Sequence, residues 1–178
     1  MTEREELKTI IKERSIMKGE FTLVSGKKSS YYINGKMTTL NARGLFLTAK
    51  LLLDECEGLE YDGFAGPTIG ADPIIGALLT LSAERGLNKE GFLIRKKSKE
   101  HGTRNLVEGH MEKGTKVILL EDVATTGGSL IRAAEAVREG GGEIVKVFTI
   151  VDREEGAAEA LSEAGYGFRS LFRVGELL

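Results

Sequence analysis

The chain has 178 residues, 41% of them hydrophobic, which fits one domain with a sizeable core. Its net charge of −2 and pI near 5.9 exclude the broad basic face of a duplex-binding protein. Cys56 is the single cysteine, so an intrachain disulfide and a Cys-based metal cluster are excluded.

No run approaches the roughly 18 to 20 uninterrupted apolar residues of a membrane span. The first fifteen residues are charged throughout and lack the apolar core of a secretion signal, so the expected location is the cytoplasm. Thr2 with Glu5 three residues later reads as a capping box opening a helix with Leu7, Ile10 and Ile11 on its apolar face. Phe21 to Val24 predicts a strand, 31–34 a second, and 41–56 a long helix. Cys56, near Leu51 to Leu53, reads as a buried thiol. A regular rhythm follows: strand at Tyr61 to Ala65, helix 71–85, strand Gly91 to Ile94, strand Lys116 to Leu120, helix 128–139, strand Glu143 to Val151, helix 156–165 and a last strand 167–174. Strands alternating with helices predict an α/β fold with a mostly parallel sheet. Continuous apolar strands predict helices on both of its faces. The stretch 96–113 is long and polar and holds two glycines, Gly102 and Gly109, which predicts a mobile loop.

Chemistry concentrates in two runs. The first is Glu121-Asp122-Val123-Ala124-Thr125-Thr126-Gly127-Gly128-Ser129, set between an apolar strand and a helix. In open α/β sheets ligands bind at the carboxyl ends of the strands. Backbone N–H groups of a hydroxyl- and glycine-rich loop, with the helix N-terminus behind them, form an anion site. Two carboxylates beside it can accept hydrogen bonds from sugar hydroxyls, so the run suits a phosphorylated ribose. An ordinary strand–turn–helix connection capped by Ser129 or Thr126 is the competing reading, but it leaves the paired acids unexplained. Neither G-x-x-x-x-G-K-[ST] nor G-x-G-x-x-G occurs anywhere. The second run holds Arg95, Lys96, Lys97, Lys99 and Arg104 with His101. Alone it reads as a solvated basic loop. Beside a phosphate site, flexible cations would favour departure of a polyanionic leaving group and exclude water.

Glu121 to Ser129 resembles the phosphoribosyl pyrophosphate (PRPP) motif of type I phosphoribosyltransferases. The spacing R-K-x-x-K-x-H-G, here Arg95, Lys96, Lys99, His101 and Gly102, resembles the mobile catalytic loop of the orotate-specific branch. The resemblance extends from about residue 5 to 174. It implies a type I phosphoribosyltransferase fold over 1–178, with a small N-terminal hood from about 1–40. It places Glu121 and Asp122 on the ribose hydroxyls, Thr125 to Ser129 on the 5′-phosphate, and Arg95, Lys96, Lys99 and His101 on pyrophosphate. His101 would act as proton donor or hydrogen-bond partner. Arg153, in a D-R-x-E run after a buried strand, and Thr125 would bind orotate. The segment Phe21 to Tyr32 resembles the hood, with Tyr32 against the ring. The resemblance also implies Mg²⁺ held mainly by substrate and water rather than by protein ligands, and a homodimer sharing loop residues across its interface.

Two departures stand out. Some members have lysine where this chain has Val24, leaving Lys27 and Lys28 nearby. Many have one in the pyrophosphate loop that matches Gly66 to Pro73, where this chain has none, so backbone N–H groups of Thr68 to Ala71 would serve. That loop also reads as a helix start with Asp72 as N-cap and Pro73 at the first helical position. His110, the only other histidine, reads as a surface residue. A purine-specific phosphoribosyltransferase would share Glu121 to Ser129 but lack the basic run and the hood segment. A PRPP-sensing regulator on the same fold would carry an added basic surface for nucleic acid.

Overall fold

A computed structural model describes residues 1–22, 26, 28–96 and 106–178. Leu23, Val24, Ser25, Lys27, Lys97, Lys99, His101, Gly102 and Arg104 therefore lie outside the described residues.

The chain opens with α1 (Glu3–Arg14), closed at its start by the expected capping box: Thr2 Oγ1 accepts from Glu5 N and Glu5 accepts from Thr2 N. A hairpin of β1 (Ile16–Thr22) and β2 (Lys28–Ile33) follows, paired antiparallel as a separate two-stranded sheet. β1 begins five residues before the predicted strand. Its exposed Met-Lys-Gly-Glu stretch shows no apolar alternation, and pairing with β2 rather than burial holds it extended. A single turn, α2 (Lys36–Thr39), leads into α3 (Ala42–Glu55), capped by Asn41 Oδ1 accepting from Gly44 N at 2.9 Å.

The main sheet is built from β3 (Gly63–Pro67), β4 (Glu90–Ile94), β5 (Val107–Glu108), β6 (Lys116–Ala124), β7 (Glu143–Asp152) and β8 (Phe168–Arg173), in the order β5-β4-β3-β6-β7-β8. All neighbours pair parallel except the β4–β5 edge. β5 corrects one expectation: the far end of the stretch read as a loop is an edge strand, its two residues paired with Leu93 and Ile94. Helix α4 (Asp72–Glu84) joins β3 to β4, α5 (Gly128–Glu139) joins β6 to β7, and α6 (Ala157–Glu163) joins β7 to β8.

Side chains alternate across β6. Ile118 and Leu120 enter the core under α1, α3 and α4, with Leu7, Leu47, Leu52, Ile74 and Leu78. Val117 and Leu119 enter the core under α5 and α6, with Leu130, Val137 and Leu161. Each such side chain stabilises the fold by about 1.5–3 kcal/mol on full burial, and the two cores make the doubly covered sheet that the apolar strands predict. Cys56 is 3% exposed, and burial pushes its thiol up to about 12.

The strand order places the functional edge. From β3 the chain winds outward through α4 to β4. From β6 it winds the other way, through α5 to β7 and β8. The crevice beyond the carboxyl ends of β3 and β6 is therefore the topological switch point, where open α/β sheets bind ligands.

Candidate active site

β6 runs four residues further than predicted, through Ala124, with Glu121 level with Thr149 and Val123 with Val151 of β7. Glu121 and Asp122 are thus consecutive strand residues and point to opposite faces. Glu121 faces α5, where Ser129 Oγ donates to its Oε2 at 2.7 Å. Asp122, 8% exposed, faces the start of α2 and the loop after β3. A Cβ on Gly35 would lie 2.7 Å from Asp122 Oδ2, and one on Gly70 would lie 2.5 Å from Oδ1. Only glycine allows both backbones this close to the carboxylate.

Burial pushes the Glu121 carboxyl up to about 7, with the Ser129 hydrogen bond opposing the shift, Asp122 adding to it, and Arg132 and Lys96 opposing it weakly. Burial also raises Asp122, while the Lys36 ammonium 3.9 Å from its Oδ2 pulls it back.

Two clefts meet at Asp122. One, of about 520 Å³, is lined by the 67–70 loop, Arg95, Lys96, Glu121, Asp122, Ser129 and Arg132. The other, of about 510 Å³, is lined by Thr22 and Tyr32 of the hairpin, Asp122, Thr125, Thr126 and Arg153. Between Thr126 and α5 stands Gly127, at φ 79. This left-handed turn, open to glycine at little cost, aims the first turn of α5 at the crevice. The predicted caps do not form. No side chain caps α5, and Ser129 is turned onto Glu121 instead. The N–H groups of the first turn therefore lack acceptors within the helix, an arrangement suited to an anion.

Arg153 is 5% exposed. Its backbone N–H donates to Ala124 O at 2.9 Å, fixing the loop after β7 to the end of β6. Its Nε donates to Glu155 Oε1 at 2.8 Å, and its guanidinium lies 4.9 Å from the centre of the Tyr31 ring. Nη2 also lies 2.8 Å from Glu155 Oε1 but makes no well-directed hydrogen bond, so a buried donor remains unused. Tyr32 lines the same cleft, tilted on Phe21 at 5.7 Å between ring centres.

Arg95 reaches the first cleft at the end of β4, where its Nη1 meets Glu108 Oε1 of β5 at 3.0 Å, and Lys96 follows it into the cleft. Lys99 and His101 belong to the undescribed stretch. His110 stands on the surface, beside Glu112 at 3.1 Å. In the 66–73 loop the helix start differs from expectation. Ala71, not Asp72, is the cap of α4, and Asp72 Oδ1 is buried without a partner, its carboxyl raised by that burial. The Thr68–Ile69 peptide is cis.

Sequence reasoning missed Lys36, Tyr31 and Arg132. Arg132 was findable, lying one turn along α5 from Ser129 on the same face. Lys36 and Tyr31 carry no local signal, because contacts with distant Asp122 and Arg153 define their roles. Among the described residues no group of three or more His, Cys, Asp or Glu side chains gathers to hold a metal, and no helix is long and apolar enough to cross a membrane.

A sequence model of the phosphoribosyl transferase domain matches residues 73–167. The chain is 49% identical to an orotate phosphoribosyltransferase of Pyrococcus horikoshii over 94% of its own length and 89% of the relative's. It is 46% identical to the one from Rhodopseudomonas palustris, over 98% and 96% of the two chains. Among solved structures, the Mycobacterium tuberculosis orotate phosphoribosyltransferase in complex with PRPP superposes with a TM-score of 0.83 at 34% identity, covering 99% of each chain. A doubly covered parallel sheet, an uncapped helix behind paired acids at its switch point, and close relatives matched over nearly their whole length agree: the chain belongs to the orotate phosphoribosyltransferase family.

Proposed function

We propose that this chain transfers the phosphoribosyl group of PRPP to orotate, giving orotidine 5′-monophosphate and pyrophosphate on the route to UMP. The observation that carries the reading is the pair of clefts meeting at Asp122. One is lined by cations and suits a pyrophosphate. The other ends on a buried arginine with an unused donor, which suits a flat ring bearing a carboxylate.

In this arrangement the 5′-phosphate lies on the N–H groups of Thr125 to Ser129, and the ribose hydroxyls donate to Glu121 and Asp122. Pyrophosphate lies against the 67–70 loop, Arg95 and Lys96. Arg153 takes the orotate carboxylate, Thr125 the ring edge, and Tyr32 closes the ring side. The bond between the anomeric carbon and the pyrophosphate oxygen breaks, and the electron pair leaves with pyrophosphate. The orotate ring nitrogen then bonds to that carbon from the opposite face as its own proton passes to solvent. Positioning and charge neutralisation supply the rate. The carboxylates of Glu121 and Asp122 suit Mg²⁺, which would be held mainly by substrate and water. When bound, the ion offsets the pyrophosphate charge. Lys99 and His101 serve the pyrophosphate side, His101 as proton donor or hydrogen-bond partner. The protein works in the cytoplasm as a homodimer whose loop reaches the neighbouring site.

The test is loss of orotate's ultraviolet absorbance with PRPP and Mg²⁺, run beside adenine, hypoxanthine and uracil. Conversion of orotate alone, abolished by a chelator, is the expected result. Tight PRPP binding without orotate turnover would overturn the reading.

A further inference from the structure

Among the described residues, Lys36 is the one besides Asp122 that lines both clefts. It opens α2 directly after Gly35, whose backbone presses on the Asp122 carboxylate. The turn is held from several sides. Asn34 N donates to Ser15 O at 2.9 Å, Thr38 N to Gly35 O at 3.0 Å and Leu40 N to Lys36 O at 2.8 Å. The stem of Lys36 is thus fixed while its side chain stays 40% exposed. Its Nζ lies 3.9 Å from Asp122 Oδ2, too far for a hydrogen bond, and the described residues offer the ammonium no other acceptor.

The charge around the first cleft is uneven. Pro67, Thr68, Ile69 and Gly70 bring no cation to their wall. Arg95 is engaged by Glu108, and Arg132 stands beside the α5 terminus, its Nη1 being the nearest atom to a Cβ built on Gly128, at 3.4 Å. A diphosphate seated on the 67–70 loop would meet cations on one side only, unless one comes from the hairpin side. Lys36 is the described cation there.

We propose that Lys36 binds the diphosphate of PRPP, supplying the positive charge that the 66–73 loop lacks. Its ammonium turns from Asp122 to a phosphate oxygen as PRPP enters, leaving Asp122 to the ribose hydroxyl. The inference rests on the reading that pyrophosphate occupies this cleft.

The test compares Lys36→Met, which keeps the apolar stem, with Lys36→Arg and with Lys96→Met. The readouts are the KM for PRPP, the KM for orotate, and inhibition by inorganic pyrophosphate competing with PRPP. Loss of a charge-assisted contact raises the PRPP KM and the pyrophosphate inhibition constant of Lys36→Met by about ten- to one-hundredfold. The orotate KM stays essentially unchanged, and Lys36→Arg recovers most of the loss. Unchanged PRPP and pyrophosphate constants in Lys36→Met, while Lys96→Met weakens both, would overturn the role of Lys36 alone. So would a rise confined to the orotate KM. Wild-type protein that pyrophosphate does not inhibit competitively with PRPP would overturn the reading of the cleft itself.

Discussion

If Glu121 accepts from the ribose as proposed, PRPP binding is a proton-releasing event. The Glu121 carboxyl titrates at about 7 because burial outweighs the hydrogen bond from Ser129. To accept from a ribose hydroxyl beside Mg²⁺ it must be a carboxylate, so binding at lower pH requires losing the proton. At about pH 6 roughly 0.9 proton leaves Glu121 per PRPP bound, at pH near 7 about half, and above about pH 8 almost none. Affinity therefore rises about tenfold per pH unit up to 7 and then levels. The sign for the ligand-free fold is the reverse of an ordinary salt-bridged acid. The folded pKa lies above the unfolded value of 4.5, so stability is fully present below about 4.5 and declines as pH rises through 7. The loss is at most about 3 kcal/mol, at 1.36 kcal/mol per unit. Calorimetry of Mg²⁺-PRPP binding in buffers of different ionisation enthalpy counts the protons. Glu121→Gln subtracts those belonging to PRPP's own phosphates. The variant should release nearly one proton fewer at pH 6 and match wild type at pH 8.5. Equal proton release by the two proteins at pH 6, or wild-type affinity that falls with rising pH, would refute the reasoning.

Arg153→Ala removes the buried donor and should raise the orotate KM by about one-hundredfold, with a much smaller effect on PRPP, because a charge-assisted contact to a carboxylate contributes roughly 1.5–3 kcal/mol; initial rates at varied orotate check this. Gly70→Ala puts a methyl 2.5 Å from Asp122 Oδ1 and should weaken PRPP binding, read by titration, while the second cleft keeps its affinity for orotidine 5′-monophosphate's base. Leu78→Ala, far from the chemistry and fully buried between α4 and the sheet, should cost about 2–5 kcal/mol in a denaturant titration without changing either KM.

The parts of this molecule legible in its sequence are those whose cause is local. Capping at Thr2, the apolar strand of β6, the helix 128–139 and the acid–hydroxyl–glycine run each hold their signal within about ten residues, and the helix at 128–139 forms with those bounds. Even there tertiary contacts reassign atoms. Ser129 turns onto Glu121 instead of capping α5. Elements held by partners rather than by their own pattern escaped. β1 begins where β2 pairs with it, and β5 is two residues long and exists through β4. The same holds in the site. Arg153 is a candidate from its run, but its burial, its Tyr31 stack and its idle Nη2 depend on folding that brings residues 31 and 153 together. Lys36 looks like any exposed lysine until β6 places Asp122 beside it.

The most direct measurement is phosphorus NMR of PRPP incubated with the protein, Mg²⁺ and orotate. The account predicts that the PRPP signals give way to equal amounts of a nucleotide monophosphate and pyrophosphate, and only when orotate is present. Unchanged PRPP, or its breakdown to ribose 5-phosphate and pyrophosphate with orotate left intact, would contradict it.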